Sequence, residues 1–198
     1  MAAEPPDIAK IRDDQVDRLI RLGFNRQLGL SPASYRLRFP EIAPRPVPSA
    51  GRFDLFLVVE GDPAIDLRFQ HDALGIAEFV DSGKLTTTGY QPTAPYYIWT
   101  HEGKRYATKS IAGALSSFTK DEVPCSQLEV TSLYAHFPGL FKGCGIDSGR
   151  TYQKNEYFTT LLWVQERPEL ALHHVNDVTP GLSVLSRGRL EQEEGPTG

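Results

Sequence analysis

Over the first forty residues the apolar positions keep a helical period. Ile8, Ile11, Leu19 and Leu22 fall near one face with Gln15, and Val16 and Ile20 stand beside them. Asp7 is placed to cap the start, and Gly23 to take the left-handed position past the end. Ser31 followed by Pro32 predicts a second short helix that ends before Pro40. Residues 53–60 (FDLFLVVE) form a dense apolar run closed by Gly61-Asp62-Pro63, the pattern of a buried strand. Residues 65–80 fit a strand or a helix, and residues 81–84 (DSGK) a turn. A second strand is expected at 96–100. Glu102-Gly103-Lys104 then turns like a hairpin, with Arg105-Tyr106-Ala107 returning from it.

The clearest helix opens at Ser126. Ser126 and Glu129 make an S-x-x-E capping box, in which each side chain satisfies the other's orphan amide. Leu128, Leu133 and Phe137 supply its apolar contacts, and Pro138-Gly139 stops it. Residues 158–164 predict a strand, 166–169 a turn, and 170–175 the returning strand of an antiparallel hairpin. A short strand follows at 182–185. The expected organisation has four parts: a helical N-terminal arm (1–39, its first seven residues a disordered lead-in), a Pro-rich extended connector (40–52), a main domain (53–190) and a disordered acidic tail (191–198). The fold class is α+β, a helical arm followed by a mixed, mainly antiparallel sheet packed with helices.

Composition narrows the function classes. A chain of 198 residues is long enough for one domain with a real core. A net charge of −4 argues against nucleic acid. Arg187 and Arg189 are the nearest thing to a basic patch, read as a solvated strand end. Two cysteines, Cys125 and Cys144, are too few for a disulfide scaffold. No signal peptide is read at the start, and no apolar run approaches the ~18 residues of a membrane span. The expectation is a cytoplasmic protein with free thiols.

The order of motifs carries a resemblance. A helix reaches a Gly-aromatic pair and a GLS helix start (LIRLGFNRQLGLSPASYR). A strand and turn (YYIWTHEGKRY) precede a helix ending in proline (LEVTSLYAHFP). A Gly/Ser/Arg loop (GCGIDSGR), a strand pair (FTTLLWVQERPELALHHV) and a Ser-rich end with arginine (LSVLSRGR) follow. Over roughly residues 15 to 189 the chain resembles an actinobacterial domain-of-unknown-function family. That family has no assigned activity, so the resemblance implies architecture and leaves chemistry open. Its second hairpin strand carries a Trp-rich segment and then an Asn-Pro-His-Thr-Trp-like stretch. Here those positions read Leu172-His173-His174-Val175 and Asn176-Asp177-Val178-Thr179-Pro180, so a shared site would be changed there.

Candidate chemistry gathers in the last third. In residues 143–150 (GCGIDSGR), glycines would let backbone amides approach a ligand, and Arg150 would clamp a carboxylate or phosphate. The alternative is a plain surface turn. The spacing fits neither a dinucleotide fingerprint nor a phosphate loop. Cys144 is either a nucleophile or an inert thiol. His173 and His174 are adjacent on a strand and face opposite sides, so they do not share a metal. Asp177 would orient one of them. His71, His101 and His136 show no metal-ligand spacing. Tyr96, Tyr97, Trp99, Tyr106, Tyr157, Phe158 and Trp163 line a pocket or form sheet core.

The reading that results is a protein binding a small organic ligand, as a secondary-metabolism-like metabolic enzyme using acid–base chemistry without metal or cofactor. The pocket would lie between 143–150 and 157–175. Arg150 would hold an anion beside Ser148, Asp147 and Cys144. His173 or His174 with Asp177 would move protons, and Tyr157 or Trp163 would stack. The alternative is a non-catalytic interaction or accessory protein, its arm docking on a second copy as a homodimer. Neither reading includes nucleic acid or a membrane.

Overall fold

The computed structural model describes residues 7–40, 53–190 and 193. The lead-in before Asp7, the connector beyond Pro40 and the tail apart from Glu193 lie outside the described residues. The fold is α+β, with its strands divided between an antiparallel sheet and a mixed one.

Helix α1 (Ile8–Arg21) starts where the sequence placed it, the Asp7 carboxylate accepting the Lys10 amide at 3.1 Å. Short helices α2 (Phe24–Gln27) and α3 (Pro32–Arg36) follow, the latter capped by the Ser31 hydroxyl. Strand β1 (Leu55–Val59) comes next. The ambiguous segment at 65–80 resolves into helix α4 (Leu67–Leu74), capped by Asp66, and strand β2 (Ala77–Glu78). Strands β3 (Thr86–Thr87) and β4 (Tyr96–Thr100), helix α5 (Ile111–Leu115) and strand β5 (Glu122–Pro124) lead to helix α6 (Gln127–His136). Strands β6 (Gly145–Gln153), β7 (Tyr157–Val164), β8 (Arg167–His174), β9 (Leu182–Val184) and β10 (Ser186–Gly188) complete the order.

The first sheet runs β1-β4-β10-β5, all antiparallel. The second runs β2-β8-β7-β6-β3, with β9 also paired to β6. Within it β2 lies parallel to β8 and β9 parallel to β6, and the remaining pairs are antiparallel. Alternation along β1 divides its side chains. Phe56 and Val58 join Val16, Leu19, Phe24, Tyr35 and Phe39 of the N-terminal helices, while Leu57 and Val59 face α6. Helix α6 lies between the sheets: Val130, Leu133 and Tyr134 share one core with Leu57 and Ile98 of the first sheet and Ile146, Leu161 and Leu170 of the second. Every α6 residue except Leu128 is buried, which is why the sequence shows no polar stripe along it.

The exposed edge of β1 is closed by side chains. Gln15 of α1 behaves as a missing strand. Its Oε1 accepts the Val58 amide at 2.7 Å, and its Nε2 donates to the Phe56 carbonyl at 2.8 Å. His136 of α6 donates through Nε2 to the Val58 carbonyl at 2.9 Å. Backbone groups that would template another strand are thereby satisfied.

Three local expectations change. Residues 105–107 form a turn, not a returning strand; Tyr106 buries its ring beside His101 and Phe118, and its hydroxyl donates to Glu122 at 2.6 Å. The hairpin turn sits at Gln165 and Glu166, both at positive φ, so Arg167-Pro168-Glu169 belong to β8. The Gly/Ser/Arg segment is strand from Gly145 onward, not a loop.

Candidate functional site

Between β9 and β7, β6 pairs Ile146 with Leu161 and Ser183, and Asp147 with Thr160 and Val184. Its glycines serve packing. A Cβ at Gly145 would meet the Leu182 side chain at 2.3 Å, and one at Gly149 would meet Pro124 at 2.5 Å. The glycine pattern therefore reflects close neighbours across the sheet, not an approach to a ligand.

On the outer face of β6, Asp147 is 2% exposed. Its Oδ1 accepts a short hydrogen bond from the Thr160 hydroxyl of β7. His173 of β8 places Nδ1 at 3.2 and 3.1 Å from the two carboxylate oxygens. Its Nε2 meets the Thr179 hydroxyl at 3.0 Å. Thr179 lies on the exposed connection between β8 and β9. Carboxylate, imidazole and hydroxyl thus form a line from the sheet interior to solvent. In the neutral imidazole the buried carboxylate favours the proton on Nδ1, which turns the Nε2 lone pair toward Thr179. The hydrogen bond to Asp147 raises the His173 pKa above its ordinary value, against an opposing effect of burial and with added help from the charges of Asp147 and Asp177.

His174 faces the other way, as strand alternation requires. Its ring meets Tyr157 edge-on at 5.3 Å, and its Nδ1 lies 3.5 Å from Asp177. Asp177 therefore stands beside the half-buried His174, and the residue that orients His173 is Asp147.

The inner face of β6 carries different chemistry. Ser148 is sealed, its hydroxyl bonded to Thr159 at 2.6 Å and to the Thr151 carbonyl at 2.9 Å. Arg150 reaches α6 and the end of the chain, with Nη2 at 3.5 Å from Glu129 and Nη1 at 3.1 Å from Glu193. Arg187 of β10 is fully buried, so it is not the solvated strand end expected from sequence. Its Nε donates to Glu129 at 2.6 Å, and its Nη groups grip both Glu193 oxygens at 2.7 Å each. Glu129 also accepts from the Ser126 amide at 2.6 Å and from the Tyr96 hydroxyl at 3.3 Å. Burial pulls the Arg187 pKa down, but Glu129 and Glu193 outweigh it and the guanidinium stays charged. Glu193 is pushed up by burial and held below its ordinary value by Arg187, the Leu190 amide and Arg150.

The pocket expected between 143–150 and 157–175 is therefore not assembled as drawn. Arg150 and His173 are engaged apart: Asp147 bonds Thr160 and His173, whereas Arg150, past a register shift in the β6–β7 ladder, reaches Glu129 of α6 and Glu193. Trp163 sits at the far end of β7, against Tyr134 and under Lys142. Cys144 is a buried thiol donating to the Gly103 carbonyl, and burial raises its pKa, contrary to what a nucleophile needs. The aromatics do not line one cavity: Tyr96 and Trp163, Tyr97 and Trp99, and Tyr106 and Phe158 fall in three separate apolar clusters, and Tyr157 is exposed.

The other interior histidines show what is particular to His173. Burial lowers His71, whose Nδ1 meets Glu78 at 2.5 Å and whose Nε2 meets Thr131 at 3.0 Å. Burial likewise takes His101 and His136 from 6.5 to about 4. All three are buried groups whose pKa burial lowers. His173 shares the carboxylate–imidazole–hydroxyl pattern with His71, yet its hydroxyl partner is exposed and its pKa moves up.

Sequence reasoning missed Thr160, Thr179 and Glu193, and it assigned Glu129 only to its cap. Thr179 lies two residues after Asp177 in the 176–180 stretch, and that proximity was the one available signal. No local pattern marks Arg187 or Glu193, whose partners lie in other elements. Among the described residues no group of three or more His, Cys, Asp or Glu side chains could hold a metal, and no helix is long and apolar enough to cross a membrane. Comparison with protein-family models, curated proteins and solved structures finds no match to this chain.

Proposed function

We propose that the chain binds a small organic molecule and acts on it by metal-free acid–base chemistry at the Asp147–His173–Thr179 line. One observation carries this reading: a buried carboxylate holds the Nδ1 side of an imidazole whose Nε2 faces a solvent-reaching hydroxyl. In that arrangement Nε2 takes a proton from the Thr179 hydroxyl, or from a substrate hydroxyl that replaces it, as the oxygen attacks. Asp147 stabilises the imidazolium that forms, and His173 returns the proton to the leaving group. Val178, 58% exposed beside Thr179, offers an apolar contact for the body of the ligand.

The test is turnover of 4-nitrophenyl esters of increasing acyl length, measured against pH. The expected rate rises as His173 loses its proton, at a pH above 6.5. His173→Ala and Asp147→Asn should each lower it by about 100-fold or more. An unchanged rate in a folded His173→Ala protein removes the proposal.

A further inference from the structure

We propose that Arg150 and Arg187 form a binding site for a small-molecule carboxylate, and that the Glu193 side chain fills this site when no ligand is bound. It is independent of the His173 line and lies on the other face of β6.

The charge balance comes first. The groups that the sheets and α6 contribute are two guanidinium ions, Arg150 and Arg187, against one carboxylate, Glu129. Arg187 is 0% exposed and Arg150 6%. A buried cation without a counter-ion is costly, so this framework requires a second anion. Glu193 supplies it from beyond β10, where its amide donates to the Leu190 carbonyl at 2.9 Å. No strand or helix of the framework carries this anion.

The seat has the shape of a carboxylate receptor. Oε1 of Glu193 takes Arg187 Nη2 at 2.7 Å and Arg150 Nη1 at 3.1 Å, while Oε2 takes Arg187 Nη1 at 2.7 Å and the Leu190 amide at 3.0 Å. This is the two-pronged fork by which arginine recognises a planar carboxylate. Glu193 does not use all that the seat offers. Arg150 Nε is buried with no acceptor among the described residues, and Arg150 Nη2 reaches Glu129 only at 3.5 Å. A ligand carrying a second polar atom beside its carboxylate would satisfy that donor. The site also lies close to the surface, because a Cβ added at the exposed Gly89 would come within 3.2 Å of Arg150 Nη1.

The experiment uses sodium acetate as the probe, with sodium chloride at equal ionic strength as control, on the full chain. Thermal midpoints and line-broadening of isotopically labelled acetate are measured for the native chain, Glu193→Ala and Arg150→Ala/Glu193→Ala. In Glu193→Ala, acetate should raise the midpoint progressively with concentration as a ligand does, and chloride should not. The double variant should lose that response. The native chain should bind acetate at least 10-fold more weakly than Glu193→Ala, or not measurably, because its seat is already filled. Equal responses to acetate and chloride in Glu193→Ala, a response that survives loss of Arg150, or equal acetate affinity in the native chain would each overturn the proposal. Glu193→Gln, which keeps the volume and removes the charge, replaces the alanine variant if that fails to fold. Failure of both to fold even in acetate also overturns it, since a refillable seat is rescued by free carboxylate.

Discussion

The two faces of β6 bring ionisable groups together in opposite ways. On the inner face Arg150, Arg187, Glu129 and Glu193 neutralise one another with little exposure to water. On the outer face Asp147 is equally buried, yet its partner His173 passes the interaction on to Thr179 at the surface. An enclosed set of charges can specify packing and accept a matched anion. A line that ends in solvent can exchange protons. Burial alone does not separate the two cases; what separates them is whether the last partner of the chain of contacts is exposed.

The largest expected effect tests the enclosed side. Arg187→Met removes the cation shared by Glu129 and Glu193 and leaves buried carboxylates short of their counter-ion. Urea unfolding should show a loss of about 3–5 kcal/mol. A loss below about 1 kcal/mol would mean that the inner charges do not act as a buried unit.

Titration separates His173 from the enclosed histidines next, because the signs oppose. His101 and His136 have folded pKa values depressed to about 4 from 6.5, so the stability tied to their neutral forms is present above pH 6.5. It is lost as pH falls from there through about 4, by up to roughly 3 kcal/mol for each group. His173 is raised, so its contribution is complete below pH 6.5 and lost as pH rises through its folded value. Stability measured against pH, with the imidazole resonances followed by NMR, should show both limbs. The alkaline limb should vanish in Asp147→Asn. A His173 resonance titrating below 6.5 would refute the assignment.

The smallest effect is expected at the exposed end of the line. Thr179→Val should change stability by less than about 0.5 kcal/mol while removing the hydroxyl that His173 addresses. A larger loss would make Thr179 a structural partner, like Thr131 beside His71.

Much of the architecture was readable from local pattern. The first helix, its Asp7 cap and the capping box at Ser126 and Glu129 rest on contacts within a few residues, and the strand at 96–100 and the hairpin of β7 and β8 showed in their apolar runs and the turn between them. The site was legible only in fragments. Asp147, His173 and His174 were singled out, and the opposite orientation of the two histidines followed from alternation. The pairing of Asp147 with His173 spans 26 residues and depends on register between three strands, which no local signal encodes. Residues 143–150 were misjudged because glycine, serine and aspartate ordinarily mark loops. Here Gly145 and Gly149 are small because side chains from neighbouring segments press on the strand, and Ser148 and Asp147 are polar because each has a buried hydroxyl partner.

What the sequence determined by itself is the set of elements whose physics is short-range: helix period and caps, strand alternation, and a composition suited to one packed α+β chain. The tertiary structure decided which polar residues meet. It enclosed α6 between two sheets, used Gln15 and His136 to close an edge strand, buried Arg187 against Glu129 and Glu193, and aimed Asp147 and Arg150 to opposite faces. Those outcomes depend on strand register and on long-range charge neutralisation in a dry interior. Both are properties of the assembled fold, where a partner 58 residues away counts as much as a neighbour.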